Sequence, residues 1–168
     1  MVYSDKRGCF FESFNLKQFE EATGLSPNFV QDNQSKSVKG VMRGLHYQLP
    51  PKTQDKLVRV VHGEIYDIAV DIRKNSPTYR LWVAEILTAE NRKQMWIPEG
   101  FAHGFLSLSD YAEVLYKTTD YYAPETEQQI IWNDPDIDIE WPFNCNIILS
   151  EKDCKGMLLK DSINCYPP

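Results

Sequence analysis

Apolar and polar residues alternate through the middle of this chain with the period of two that a half-buried strand requires. Lys56-Leu-Val-Arg-Val-Val-His62 is β-branched and alternating, and after Gly63 the same style continues from Glu64 to Ile72. A turn at Asn75-Ser76-Pro77 separates this run from Arg80-Leu-Trp-Val-Ala-Glu-Ile-Leu87. Gln94 to Ile97, His103 to Leu108 and Ala112 to Thr118 follow. Short strands with turn signals at roughly 8–12-residue spacing predict a β-sandwich or barrel, not a parallel α/β fold. One helix is predicted, from Leu16 to Thr23. Asn15 caps it, Gln18 completes a capping box, Phe14 and Phe19 form a staple across the cap, and Gly24 ends it. Asn133-Asp134-Pro135 reads as a turn. The C-terminal third carries little pattern and is the remaining place for a helix.

The chain has 168 residues, the size of one domain, which we expect to span 1–168. Acidic residues outnumber basic ones 24 to 18, for a net charge of −6. That argues against nonspecific binding to nucleic acid and to an anionic membrane, but leaves room for one small anion held by local Arg and Lys. No apolar run approaches the roughly 18 residues of a membrane helix. The first residues, Met1-Val2-Tyr3-Ser4-Asp5-Lys6, contain no apolar signal core, so a cytoplasmic location is expected. Cys9, Cys145, Cys154 and Cys165 form no C-x-x-C pair and are expected to be free thiols, not a zinc site.

The candidate chemistry starts from three histidines, His46, His62 and His103. A histidine in a strand is more often a packed, hydrogen-bonded residue than a catalyst, so context must decide. Pro98-Glu-Gly-Phe-Ala-His103 has the Pro-x-Gly-x-x-His spacing of the second cupin motif. Gly40 followed after five residues by His46 opens the first. A metal-binding cupin places a second His two residues on; here that position is Gln48, and the downstream Glu is missing. The ligand set is broken, and no metal is expected.

Taken together, a series of segments resembles the dTDP-4-dehydrorhamnose 3,5-epimerase family. They include Asp5-Lys-Arg-Gly-Cys-Phe-Phe-Glu12, Phe29-Val-Gln-Asp-Asn33, Arg43-Gly-Leu-His-Tyr-Gln48, Lys56-Leu-Val-Arg59 and Asp67 to Pro77. Ala89-Glu-Asn91, Trp96-Ile-Pro-Glu-Gly-Phe-Ala-His-Gly-Phe105, Ala112-Glu-Val-Leu-Tyr-Lys117 and Asp120-Tyr-Tyr122 continue it. Trp132-Asn-Asp134 and Leu149-Ser-Glu-Lys-Asp153 complete it. The resemblance implies a mainly β fold, a cupin-type antiparallel β-barrel or jelly roll with a few short helices, forming a homodimer. It implies cofactor-free 3,5-epimerisation of dTDP-4-keto-6-deoxy-D-glucose to dTDP-4-keto-L-rhamnose, in dTDP-L-rhamnose biosynthesis.

The residue types suit that chemistry. A 4-keto sugar has acidified C–H bonds at C3 and C5, and inverting either needs a base, an acid on the opposite face and a partner for the enolate oxygen. By resemblance His46 is the base, Asp153 its orienting partner, Tyr116 the proton donor and Lys56 the enolate's counter-charge. Arg43 and His103 match contacts around the reacting sugar and phosphates, and Tyr122 matches a tyrosine stacked on the nucleotide base. Arg7, Glu12, Gln31, Asn33, Glu127 and Lys152 match further nucleotide and phosphate contacts, some supplied across the dimer interface.

Strand parity bears on these assignments. Tyr116 and Tyr122 would share a face on an unbroken strand, whereas Arg43 and His46 would face opposite ways unless Gly44 marks a bulge. Two features depart from the family pattern. Asp55 stands beside Lys56 where a small residue is common, either biasing the lysine or facing solvent. The lead-in before Asp5 is short, so an altered dimer edge is expected. Three other readings stand beside this one: an epimerase acting only at C3 or only at C5, a metal-dependent cupin, and a non-catalytic sugar-nucleotide binder.

Overall fold

The computed structural model describes residues 1–142, 146–163 and 166. Cys145 and Cys165 lie outside the described residues; Cys9 and Cys154 are exposed free thiols. The chain opens with a hairpin of β1 (Val2–Asp5) and β2 (Gly8–Phe11), followed by α1 (Leu16–Thr23). Then come β3 (Gln31–Val38), β4 (Met42–Gln48), β5 (Lys56–His62), β6 (Glu64–Asp71) and β7 (Trp82–Thr88). β8 (Gln94–Ile97), β9 (Phe101–Ser107), β10 (Tyr111–Thr118) and β11 (Glu127–Gln129) complete the strands. Short 3-10 turns at Asp153–Lys155 and Leu159–Asp161 stand where the sequence left room for a C-terminal helix.

Two antiparallel sheets face each other, ordered β3-β10-β5-β8 and β11-β4-β9-β6-β7. The mainly β, antiparallel architecture with few short helices agrees with the expected fold class. Between the sheets lies an apolar cluster built on Val58, Val60, Ile65, Phe105, Ala112 and Val114. The opposite face of the five-stranded sheet buries Met42, Leu45, Ile68, Val70 and Leu106. Ile130, Ile137, Trp141 and Leu159 cover that face, so the weakly patterned C-terminal third is a packed layer without long elements.

The alternation of β5 and β10 explains where the site lies. Along the inward row, Val60 and Val58 give way to Lys56, while Ala112 and Val114 give way to Tyr116. The space between the sheets is therefore apolar at one end and polar at the other. β3 runs beside β10 along its whole length, with Gln31, Asn33, Ser35 and Ser37 less exposed than the residues between them. It has no apolar alternation, so hydropathy does not mark it as a strand.

α1 forms as expected. Asn15 Oδ1 accepts from the Gln18 amide at 3.2 Å, and Gly24 ends the helix at φ 72°. The Phe14 and Phe19 rings lie 6.1 Å apart, and Phe19 meets Trp96 of β8 edge-on at 5.0 Å. Among the described residues, no helix is long and apolar enough to cross a membrane.

Candidate active site

β4 and β9 meet where the sheets open. His46 pairs with His103, and Met42 and Arg43 pair with Leu106 and Phe105. Two residues stand between Arg43 and His46 against one on β9, so β4 bulges there, at Gly44 and Leu45. Gly44 has φ 123°, and a Cβ added to it would lie 2.5 Å from the Gly104 Cα. The bulge brings both Arg43 and His46 to the same depression, as Gly44 suggested from the sequence.

His46 Nε2 lies 2.8 Å from Asp153 Oδ1. Asp153 is 3% exposed and is itself held: Ser150 Oγ donates to Oδ2 at 2.6 Å, and the Gly44 amide and Gln129 Nε2 reach Oδ1 at 3.3 Å. Burial alone would raise this carboxyl, but the His46 and Ser150 hydrogen bonds and the His46 charge outweigh it and hold it below its ordinary value. An ionised Asp153 only accepts, so the dyad places the proton on Nε2 and leaves Nδ1 as the basic nitrogen. A second pair lies deeper. His103 Nε2 is 2.7 Å from Oδ1 of the wholly buried Asp67, whose Oδ2 has no hydrogen-bond partner.

Lys56 and Tyr116 reach the cleft from the other sheet. Lys56 Nζ is 3.5 Å from the His46 carbonyl. Burial pushes its ammonium down to about 8, against the opposing pull of Glu127 and Asp67. Burial likewise raises the Tyr116 hydroxyl; Arg43 acts to lower it and Glu127 adds to the rise. Both residues line two adjoining depressions of about 470 and 820 Å³ that also share His46. Arg43, His103, Lys152 and Asp153 line the larger; Gln31, Asn33, Tyr122 and Glu127 line the smaller. Tyr122 donates to Glu127 Oε2 at 2.7 Å, and Lys152 forms an ion pair with the same carboxylate. Among the described residues no cluster of three or more His, Cys, Asp or Glu could hold a metal ion.

The model of the dTDP-4-dehydrorhamnose 3,5-epimerase family matches residues 1–161. The dTDP-4-dehydrorhamnose 3,5-epimerase of Pseudomonas aeruginosa is 57% identical over 99% of this chain and 91% of its own length. The chain belongs to the dTDP-4-dehydrorhamnose 3,5-epimerase family. Solved structures agree. The Legionella pneumophila dTDP-6-deoxy-D-glucose-3,5-epimerase, in complex with dTDP-4-keto-L-rhamnose, has a TM-score of 0.92 and 53% identity, covering 95% of this chain and 85% of that one. A 3'-monoepimerase from Streptomyces bikiniensis, in complex with dTDP-quinovose, has a TM-score of 0.89 at 34% identity, covering 95% and 81%.

Within this member of the epimerase family, two expected site residues lie away from the cleft. Arg7 is spent on Asp5 of its own hairpin, at 3.0 Å from Nε to Oδ2, and Glu12 accepts from Gln18 Nε2 at 3.1 Å beside α1. Tyr122 reaches the cleft by a different route from the one parity suggested: β10 ends at Thr118, and a loop delivers the ring. Asp55 neither faces open solvent nor acts on Lys56. It is half-buried and accepts from the Glu99 amide at 2.8 Å, tying a turn to the start of β5.

The sequence reading assigned no role to Asp67, Ser150, Gln129 or Ser37, whose Oγ takes a hydrogen bond from Arg43 Nε at 3.1 Å. Asp67 carried one available signal: it is an acidic residue inside the apolar run from Ile65 to Val70, where a buried charge needs a partner.

Proposed function

We propose that this chain converts dTDP-4-keto-6-deoxy-D-glucose to dTDP-4-keto-L-rhamnose by inverting C3 and C5, within dTDP-L-rhamnose biosynthesis. The observation that carries this reading is that the His46–Asp153 dyad shares one cleft with Lys56 and Tyr116, which come from the opposite sheet. His46 Nδ1 removes the proton from the carbon beside the ketone. The C–H electron pair moves into the ring as a C=C bond, and the carbonyl oxygen becomes an enolate. Lys56, as an ammonium, offsets that charge. Tyr116 returns a proton to the other face, the enolate collapses to the ketone, and solvent reprotonates the tyrosinate and takes the proton from the His46 imidazolium. No electron leaves the sugar, and the proton it loses to His46 is matched by the one it gains from Tyr116. Arg43, His103 and Lys152 hold the sugar and phosphates, and Gln31, Asn33, Tyr122 and Glu127 hold the nucleotide.

The same reading includes a cytoplasmic homodimer in which Arg7 and Glu12 serve the partner's cleft. Exposed Tyr3 and Phe10 on the hairpin, at 60% and 68%, and Leu81 and Val83 at the β7 edge, at 60% and 59%, support a protein interface. The free thiols Cys9 and Cys154 suit a reducing compartment.

The deciding experiment is incubation with dTDP-4-keto-6-deoxyglucose in D2O, following C3 and C5 by NMR. Deuterium is expected at both carbons. Deuterium at one carbon would establish the second reading, a mono-epimerase, the activity named for the 34% identical Streptomyces bikiniensis neighbour. Exchange that survives His46→Ala would sink the assignment of the base.

A further inference from the structure

Gln48 occupies the position at which a metal-binding cupin keeps its second histidine, two residues beyond His46 on β4. Its side chain is 5% exposed and already fully engaged. Nε2 donates to the Lys52 carbonyl at 2.5 Å and to the Tyr121 carbonyl at 3.2 Å, while Oε1 accepts from the Ala123 amide at 2.9 Å. Both donors and the acceptor of the amide are thus used, and two of the three bonds grip the backbone on either side of Tyr122.

Tyr122 needs such a grip. It lies beyond the end of β10, and the residue is 54% exposed, with little packing of its own. Among the described residues its other fixed points are its amide, which donates to Gln31 Oε1 at 3.1 Å, and its hydroxyl on Glu127. Glu127 is the direct cross-strand partner of Gln48. One residue therefore sets both ends of the Tyr122–Glu127 pair. Because Gln48 and His46 are two positions apart on one strand, it also fixes the spacing from that pair to the dyad, about 7 Å of β-strand.

We infer that Gln48 is a positioning residue whose buried amide clamps the backbone around Tyr122 and so holds that ring as the nucleobase platform at a set distance from His46. This rests on the proposed reading of Tyr122 as a nucleotide contact. The residue touches no reacting atom, so its loss acts on binding far more than on turnover.

The test measures the Kd for dTDP by calorimetry, and KM and kcat for C5 exchange, in Gln48→Ala, Tyr122→Ala and the double variant. Gln48→Ala is expected to weaken dTDP binding and raise KM about tenfold, with kcat falling less than about threefold. The double variant is expected to be no worse than the worse single one, because both changes remove one platform. Gln48→Glu keeps the size and the acceptor but points a carboxylate at two carbonyls; it is expected to bind dTDP as poorly, and it carries the test if Gln48→Ala does not fold.

Wild-type Kd and KM in a folded Gln48 variant, additive losses in the double variant, or a kcat loss larger than the KM change would each overturn the proposal. Wild-type protein that binds dTDP but exchanges neither C3 nor C5 would overturn the proposed reaction and leave this inference standing. Wild-type protein that does not bind dTDP would overturn both.

Discussion

Lys56 begins β5 with its ammonium inside the cleft, and withdrawal from water brings it from 10.5 to about 8 despite the attraction of Glu127 and Asp67. Below about 8 the folded and unfolded chains both carry the proton, and the cost of enclosing the charge is fully present; as the pH rises from there towards 10.5, the folded lysine loses its proton first and the cost disappears. Lys56→Met is therefore expected to stabilise the fold near neutral pH by on the order of 2 to 3 kcal/mol while abolishing exchange. In thermal unfolding the advantage should shrink steadily above about pH 8. Wild-type kcat/KM should fall over the same range, since only the ammonium offsets an enolate. An advantage independent of pH would show that Lys56 is not held below its ordinary value. Asp153 has the opposite sign. Its lowered carboxyl contributes stability that is complete above the ordinary carboxylate range and is lost as the pH falls through the native value. Asp153→Asn is expected to cut kcat by roughly 10²- to 10⁴-fold with KM nearly unchanged, because the dyad's tautomer is lost while the cleft keeps its shape; a loss confined to KM would place Asp153 in binding instead. Both histidines stood out in the sequence by the motifs around them. Of their carboxylates, Asp153 was legible only through the family resemblance and the role of Asp67 was not assigned, because 107 and 36 residues separate the partners in the chain.

Strands were legible where the interior is apolar and illegible where it is polar. β5 and β10 place Val58, Val60, Ala112 and Val114 on alternate positions because those positions fill the space between the sheets, and β6 is apolar on both faces, with Ile65 and Ala69 towards that space and Ile68 and Val70 towards the C-terminal layer. β3 obeys the same alternation in exposure, yet its inward residues are Gln31, Asn33, Ser35 and Ser37, so hydropathy could not mark it. α1 was readable end to end because its cap, staple and stop are all local. β4 shows a histidine motif in the sequence but no hydrophobic alternation, and its bulge depends on a close approach to β9 that no local signal describes in full. That approach gives a prediction at the scale of the element. An alanine Cβ at Gly44 would lie 2.5 Å from the Gly104 Cα and 2.7 Å from the His103 carbonyl, on backbone with φ +123°. Neither contact can be relieved by a side-chain rotation. Gly44→Ala is expected to cost more than about 3 kcal/mol in urea unfolding and to abolish exchange. Gly24→Ala makes the comparison: its φ is +72° but no atom lies within 4 Å, so about 1 kcal/mol and full activity are expected. Equal costs at the two sites would mean that the β4–β9 approach is not what demands glycine.

The single chain gathers most of the cleft but leaves Arg7 on a hairpin whose strands pair only with each other. Its side chain is 85% exposed, and among the described residues its charge is matched only by Asp5, two residues earlier on β1. An exposed cation on a hairpin that also shows Tyr3 and Phe10 to solvent is placed for contact with another molecule. In a homodimer with two-fold symmetry, each hairpin that reaches across carries its arginine to the other cleft, and the exchange is reciprocal. Arg7→Ala and His46→Ala chains should then each be nearly inactive alone, the first because its partner lacks the arginine and the second because its own base is gone. Co-expressed with different affinity tags in equal amounts, half of the dimers would be mixed. In a mixed dimer the Arg7→Ala chain keeps its own His46 and receives Arg7 from its partner, so one cleft of two is complete, and the mixture should recover about a quarter of wild-type activity. Purification through both tags in succession isolates the mixed dimer, which should show about half. If Arg7 served the cleft of its own chain, neither cleft of the mixed dimer would be complete and both samples would stay inactive. Full activity of the Arg7→Ala chain by itself would remove Arg7 from the site altogether. The same cross with Glu12→Ala in place of Arg7→Ala asks whether the start of α1 travels with the hairpin. Glu12 is hydrogen-bonded to Asn15 and Gln18 of its own chain, so recovery in that cross would mean the helix cap and the hairpin act on the partner's cleft as one unit.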